Sequence, residues 1–181
     1  MINKYALLKV IRGIIRENKE FSLRDVARKV KIGPSTAKET LDYLMSQNIL
    51  DMRIVGKNHL FKVKSNVLTN QIKILYTVFE IESSGIIEEL IKKIPDILSI
   101  AIYGSTARGD DDDKSDIDLL VIVRKKSNIP TLKNEKFLSR ELSITIYTYK
   151  EWKDKAEKDK IFYYNVISNS ITIYGEKPIV I

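Results

Sequence analysis

The chain has 181 residues, of which 44% are hydrophobic and 30% charged, a balance typical of a folded globular protein. It contains no cysteine, which excludes disulfides and thiolate metal sites, and its single histidine, His59, excludes a Ser-His hydrolase unless His59 is the base. No apolar run reaches the roughly 20 residues of a membrane span and the N-terminus lacks the apolar region of a signal peptide, so we expect a cytoplasmic protein with no membrane partner.

The net charge of +7 is concentrated in the first part of the chain. Residues 1–70 carry 14 Lys and Arg against 6 Asp and Glu, whereas residues 71–181 carry 17 against 18. This asymmetry predicts two parts, the first of which faces a polyanion. A lysine-rich surface is also typical of thermophile-like proteins, and that alternative stays open.

Helical periodicity predicts three amphipathic helices near the N-terminus, followed by a hairpin. The second helix begins after Ser22, a natural N-cap with Asp25 three residues further on. Gly33 allows a tight turn, and Pro34 suits the first position of the third helix. Alternating residues on both sides of residues 56–58 predict the hairpin.

This order of elements over residues 4–65, carried by LRDVARKVKIGPSTAKETLDYLMSQNIL, resembles a winged helix-turn-helix. In that motif the second helix of the pair enters the major groove of DNA and the wing contacts the backbone. The resemblance implies a homodimer on double-stranded DNA, although small three-helix units also serve as protein-interaction modules. The expected DNA-binding residues are Ser35, Thr36, Lys38, Arg53 and Lys57.

Composition and periodicity together predict an α+β protein of two domains. We expect a DNA-binding domain over residues 1–66, a linking helix over 67–83 and a small mixed-sheet α/β domain over 84–181. In the last domain a helix breaks at Pro95 and a strand runs from Leu98 to Tyr103. Further strands fall in SDIDLLVIV, ELSITIYTY and SITIYG, with a helical stretch before the last, and we expect a sheet covered mainly on one face.

Two aspartates stand at the entry of the second of these strands. Asp116 and Asp118 are two residues apart, so on a strand both carboxylates leave the same face, and Mg²⁺ binds through one or two carboxylates plus substrate phosphates. In the preceding turn Gly104 lets the backbone approach a ligand, while Ser105 and nearby N–H groups can hold phosphate oxygens. Arg108 can add a guanidinium. The pattern predicts a site for Mg²⁺ and a nucleoside triphosphate.

The stretch GSTARGDDDDKSDIDLLVI resembles the Gly-Ser…Asp-x-Asp pattern of the DNA-polymerase-β-like nucleotidyltransferase superfamily. The nearest subgroup is the minimal nucleotidyltransferases of prokaryotes, with Gly-Ser-x-Ala-Arg-Gly, a short loop and then Ser-Asp-x-Asp-Leu, and every one of these positions is filled here. The resemblance spans residues 84–176, including the ending FYYNVISNSITIYG. It implies transfer of a nucleoside monophosphate, AMP above all, to a hydroxyl on a small molecule or a partner protein.

The four aspartates at residues 110–113 fall in the segment that varies within that superfamily. Adjacent carboxylates repel one another, so we expect a solvated, exposed loop at the rim of the site rather than metal ligands.

One position departs from the superfamily pattern. Active members carry a third carboxylate on a neighbouring strand, and the matching position here falls on Ser143. Glu141 lies two residues earlier on the same strand face and is the candidate substitute as a catalytic carboxylate. Three functions therefore stay open: a nucleotidyltransferase, a catalytically weak or inactive DNA-binding transcriptional regulator that binds a nucleotide, and a protein-assembly scaffold.

Overall fold

The computed structural model describes residues 5–180, which form α-helices and two β-sheets and so confirm the α+β class. Residues 1–4 and 181, which include the first residue of the predicted winged helix, lie outside the described part. The chain divides between Lys73 and Ile74 into two compact units. The division falls inside helix α4, Val67–Ser84. Across residues 5–180 no helix combines the length and the apolar character needed to cross a membrane.

The first unit contains three helices and a small antiparallel sheet. Its elements are α1 (Ala6–Ile14), β1 (Phe21–Ser22), α2 (Leu23–Val30), α3 (Pro34–Ser46), β2 (Leu50–Val55) and β3 (Asn58–Val63). The strand order is β1-β3-β2. The predicted Ser22–Asp25 capping box starts α2, and Gly56 at φ 61° turns the chain between β2 and β3. Val10, Leu41 and Leu44 are fully buried in its core.

The second unit is built on a mixed sheet of strand order β6-β5-β4-β7. Its elements after α4 are α5 (Ile86–Lys93), β4 (Ile97–Tyr103), α6 (Gly104–Arg108), β5 (Ile117–Val123), a 3-10 helix (Asn134–Phe137), β6 (Leu142–Thr148), α7 (Tyr149–Lys158), α8 (Lys160–Asn169) and β7 (Ile171–Gly175). Strand β5 runs parallel to β6 and antiparallel to β4, which in turn is antiparallel to β7.

Both faces of this sheet are covered, so the expectation of cover mainly on one face was wrong. Residues of α5 and the end of α4 pack on one face, against the odd-numbered residues of β5 such as Leu119. Trp152 of α7 and Tyr163 of α8 pack on the other face, against Leu120 and Ile122. Because successive strand residues point to opposite faces, the unbroken apolar run from Leu119 to Val123 of β5 requires that both faces are buried.

Candidate nucleotide-binding site

The two predicted metal-binding aspartates lie at the N-terminal end of β5. Asp118 is half-buried on the sheet face that α7 and α8 cover, while Asp116 directly precedes the strand and is exposed. In the sheet register Asp118 lies between Tyr103 of β4 and Ser143 of β6. This end of β5 is therefore flanked by the end of β4 and the start of β6, and residues from three strands meet there.

Gly104 begins α6, directly after β4, and lies against Asp118. It has φ 74°, and a Cβ built on it would lie 2.5 Å from Oδ2 of Asp118. Any larger residue would therefore be strained in backbone and would also displace the carboxylate. Ser105 follows in the same turn and is half-buried. The Gly-Ser turn and Asp118, which are separated by the acidic loop in sequence, are thus neighbours in space.

The electrostatics of the pair favour a bound cation. Partial burial, and secondly the negative charge of Asp116, raise the pKa of the Asp118 carboxyl above its ordinary value. A divalent cation bound by the two would offset both effects, because its positive charge favours the ionised form of the half-buried Asp118 and balances the charge of Asp116. Oxygen ligands from one or two carboxylates, completed by substrate phosphates, are also the set that Mg²⁺ prefers. The residues present therefore fit a Mg²⁺–nucleotide.

The backbone around Asp116 is fixed by hydrogen bonds from neighbouring elements. The fully buried Thr106 of α6 donates its hydroxyl to the carbonyl of Asp116 at 2.9 Å. The N–H of Ile117 donates to the carbonyl of Glu141 at 2.8 Å. Sequence reasoning missed Thr106 because it occupies the variable place in Gly-Ser-x-Ala-Arg-Gly, where no pattern marks a role.

Arg108, the predicted phosphate-binding arginine, lies at the last position of α6. Its Nε donates to Oδ2 of Asp110 at 2.9 Å, and both side chains are substantially exposed. The guanidinium is therefore paired with a carboxylate of the acidic loop. A phosphate that took this guanidinium would have to compete with Asp110.

The acidic run is not the fully solvated loop that charge repulsion predicted. Asp111 is 1% exposed and forms an ion pair with Arg140, 2.7 Å from Nη1 to Oδ2. Asp112 accepts hydrogen bonds from the Ser115 hydroxyl and the Lys114 N–H in a local turn. Asp110 and Asp113 are exposed, as expected. The prediction was wrong for Asp111 because a cation 29 residues away in sequence neutralises it.

Ser143, the residue at the position expected for a third carboxylate, lies on the strand beside Asp118. Ser143 is the register partner of Asp118 on the parallel strand β6. Glu141 is exposed just before β6, and together with Asp116 it lines an open depression of about 680 Å³. Within residues 5–180 no three Asp, Glu, His or Cys side chains come together as a group that could hold a metal ion.

In the first unit, the residues predicted to bind DNA lie on α3 and the hairpin. Ser35, Thr36 and Lys38 are exposed in the first turns of α3. Arg53 on β2 is already engaged, since its Nε and Nη2 each donate to a carboxylate oxygen of Glu20 at 2.6 Å. Lys38 and Lys57 line one depression of about 470 Å³, together with Arg24 and His59, which sequence reasoning did not assign to this surface.

Comparison with known proteins places the second unit in a family. No curated protein and no solved structure matches the chain. The family model described as polymerase beta, nucleotidyltransferase matches residues 86–179, which is more than half of the chain and includes every residue of the β4–α6–β5 site. The chain therefore belongs to the polymerase β nucleotidyltransferase family.

Proposed function

We propose that the protein binds a Mg²⁺–nucleoside triphosphate at the edge formed by Gly104, Ser105, Asp116 and Asp118. The observation that carries this proposal is the close approach of Gly104 to the Asp118 carboxylate. The Gly104 backbone, which we propose contacts phosphate oxygens, lies beside the Asp118 oxygens that we propose hold the metal. The raised pKa of Asp118 supports the same conclusion, because the positive charge of a bound cation would offset the cost of ionising this carboxyl.

The reaction this site supports is transfer of a nucleoside monophosphate to a hydroxyl. The acceptor oxygen forms a bond to the α-phosphorus, the bond from that phosphorus to the bridging oxygen breaks, and pyrophosphate leaves. Bound Mg²⁺ supplies charge neutralisation on the phosphates. Asp116 and Asp118 would hold the metal, and the Gly104–Ser105 turn would orient the phosphates. As the acceptor of the hydroxyl proton we propose Glu141, which lines the same depression as Asp116.

A second function is favoured by the register of Asp118 against Ser143. A serine hydroxyl supplies neither a negative metal ligand nor a base at the place where a carboxylate completes the active sites that this one resembles. Nucleotide binding without rapid transfer would make the protein a nucleotide-responsive DNA-binding regulator of transcription. The first unit would then bind DNA in response to the nucleotide held by the second unit.

For that first unit we propose a winged helix that binds double-stranded DNA as a homodimer. Helix α3 would enter the major groove and the β2–β3 hairpin would contact the backbone. The supporting observation is that Lys38 and Lys57, one from each element, line the same depression with Arg24. Cations that come together from separate elements suit a phosphate backbone better than scattered surface lysines do.

One experiment separates transfer from binding. The full chain is titrated calorimetrically with ATP and with the other nucleoside triphosphates, with and without Mg²⁺, and then incubated with ATP labelled at the α-phosphorus. Mg²⁺-dependent binding with labelled product supports transfer, and Glu141→Gln should then slow the reaction without weakening binding. Binding without product supports the regulator, and the absence of any nucleotide binding would overturn both.

A further inference from the structure

We infer that Arg140 is a positioning residue for the metal-binding aspartates: it fixes the backbone on the N-terminal side of Asp116. This inference rests on the proposed Mg²⁺–nucleotide site. Arg140 precedes β6, its side chain is 4% exposed, and the sequence pattern gave it no role.

The Arg140 guanidinium joins three segments of the second unit. Nη1 donates to Oδ2 of Asp111 at 2.7 Å and to the backbone carbonyl of Ser115 at 3.3 Å. Nη2 donates to the hydroxyl of Thr77 on α4 at 3.1 Å. One buried cation therefore ties together helix α4, the acidic loop and the peptide group that immediately precedes Asp116.

These contacts complete a set that holds three successive residues. Arg140 binds the carbonyl of Ser115, Thr106 binds the carbonyl of Asp116, and the carbonyl of Glu141, next to Arg140, accepts from Ile117. Asp116 itself is exposed, so side-chain packing does little to hold it in place. Its position is set by its backbone, and Arg140 with its neighbour accounts for two of these three anchors.

The burial of this ion pair argues for positioning rather than for stability alone. Taking both charges out of water is costly, and an apolar pair of similar volume is often as stable or more stable. What apolar side chains cannot do is donate to the Ser115 carbonyl while bridging to the loop. Outer groups that orient metal ligands in this way typically change metal affinity by about 10- to 100-fold when removed.

The test replaces the pair without leaving a buried charge. In the double variant Asp111→Leu with Arg140→Met, we expect a melting temperature close to that of the wild type. Mg²⁺-dependent ATP binding, measured by calorimetry, should nevertheless weaken about tenfold or more. In ligand-free protein, hydrogen exchange at the Ile117 N–H should accelerate more than at amides in the centre of the sheet. Arg140→Lys keeps the charge but loses the planar arrangement of donors. Its Mg²⁺-dependent affinity for ATP should lie between those of the wild type and the double variant.

Trp152→Phe is the matched control for destabilisation. It removes the hydrogen bond from the Trp152 indole to the Pro178 carbonyl, within the packing of α7, and should lower stability without changing the Mg²⁺ dependence. Unchanged Mg²⁺–ATP affinity in the double variant would overturn the role of Arg140 and leave the proposed function standing. Local acceleration at Ile117 in a protein whose wild type binds no nucleotide would support the backbone anchor and overturn the proposed function instead. If hydrogen exchange in the double variant accelerated equally at all amides of the sheet, the positioning role would be overturned.

Discussion

At the scale of single residues, Asp118 combines partial burial with a like-charged neighbour. Desolvation first, and Asp116 second, raise the pKa of its carboxyl. A group with a raised folded-state pKa contributes stability that is fully present below its unfolded pKa of about 4 and is lost as pH rises through the folded pKa. Ionisation of Asp118 with rising pH therefore lowers the stability of the ligand-free fold, and a bound cation would offset that loss.

Asp118→Asn should consequently stabilise the ligand-free protein near neutral pH. We expect a rise in melting temperature on the order of a few degrees, because the amide carries no charge into this half-buried place. The gain should shrink as the pH falls and vanish below about pH 4, and thermal melts over this range without divalent cations would measure it. Asp113→Asn, at an exposed aspartate of the preceding loop, is the control. A gain that does not depend on pH would contradict the electrostatic origin.

At the scale of elements, the sequence predicts what neighbouring residues determine. The Ser22–Asp25 capping box fixes the start of α2, and Gly56 fixes the hairpin, because the interacting groups are at most a few residues apart. The stretch after β6 was predicted to be helical, but it forms two helices. Asp159 leaves the helical conformation, with φ −131° and ψ 66°, and its side chain caps α8 by accepting from the Phe162 N–H. An aspartate between two lysines is common on an exposed helix face, so the sequence does not indicate that the helix ends there.

The surface shared by α3 and the hairpin has its own prediction. If Lys38 and Lys57 each neutralise one phosphate, Lys38→Gln with Lys57→Gln should reduce the slope of log affinity against log salt by about 2. Fluorescence anisotropy with a mixed-sequence duplex at several salt concentrations would measure the slope. Lys153→Gln with Lys158→Gln, at exposed positions on α7, makes the same change in net charge and should leave the slope unaltered. Equal effects of the two pairs would mean that DNA responds to overall charge and not to this surface.

At the scale of the whole molecule, through-space partners are what the sequence could not predict. The sequence was enough to predict Asp118 at the entry of β5, which Asp116 directly precedes, and to mark the Gly-Ser turn that lies beside Asp118. The pairing of Asp111 with Arg140 spans 29 residues and depends on how β6 is set beside β5, which no local periodicity encodes. The same limit hid Thr106, whose role depends on a carbonyl ten residues away.

The two compact units allow a last prediction about the separation of functions. Asp116→Asn together with Asp118→Asn removes both predicted metal ligands from the second unit, while the cations proposed to bind DNA all lie before residue 74. We expect Mg²⁺-dependent nucleotide binding to fall by about 100-fold or more, since outer-shell losses alone reach that range. Duplex affinity, measured on the same preparation, should stay nearly unchanged, because both substitutions lie outside the first unit. Unchanged nucleotide affinity would refute the site itself, whereas a parallel loss of DNA binding would show that the two aspartates act on both ligands.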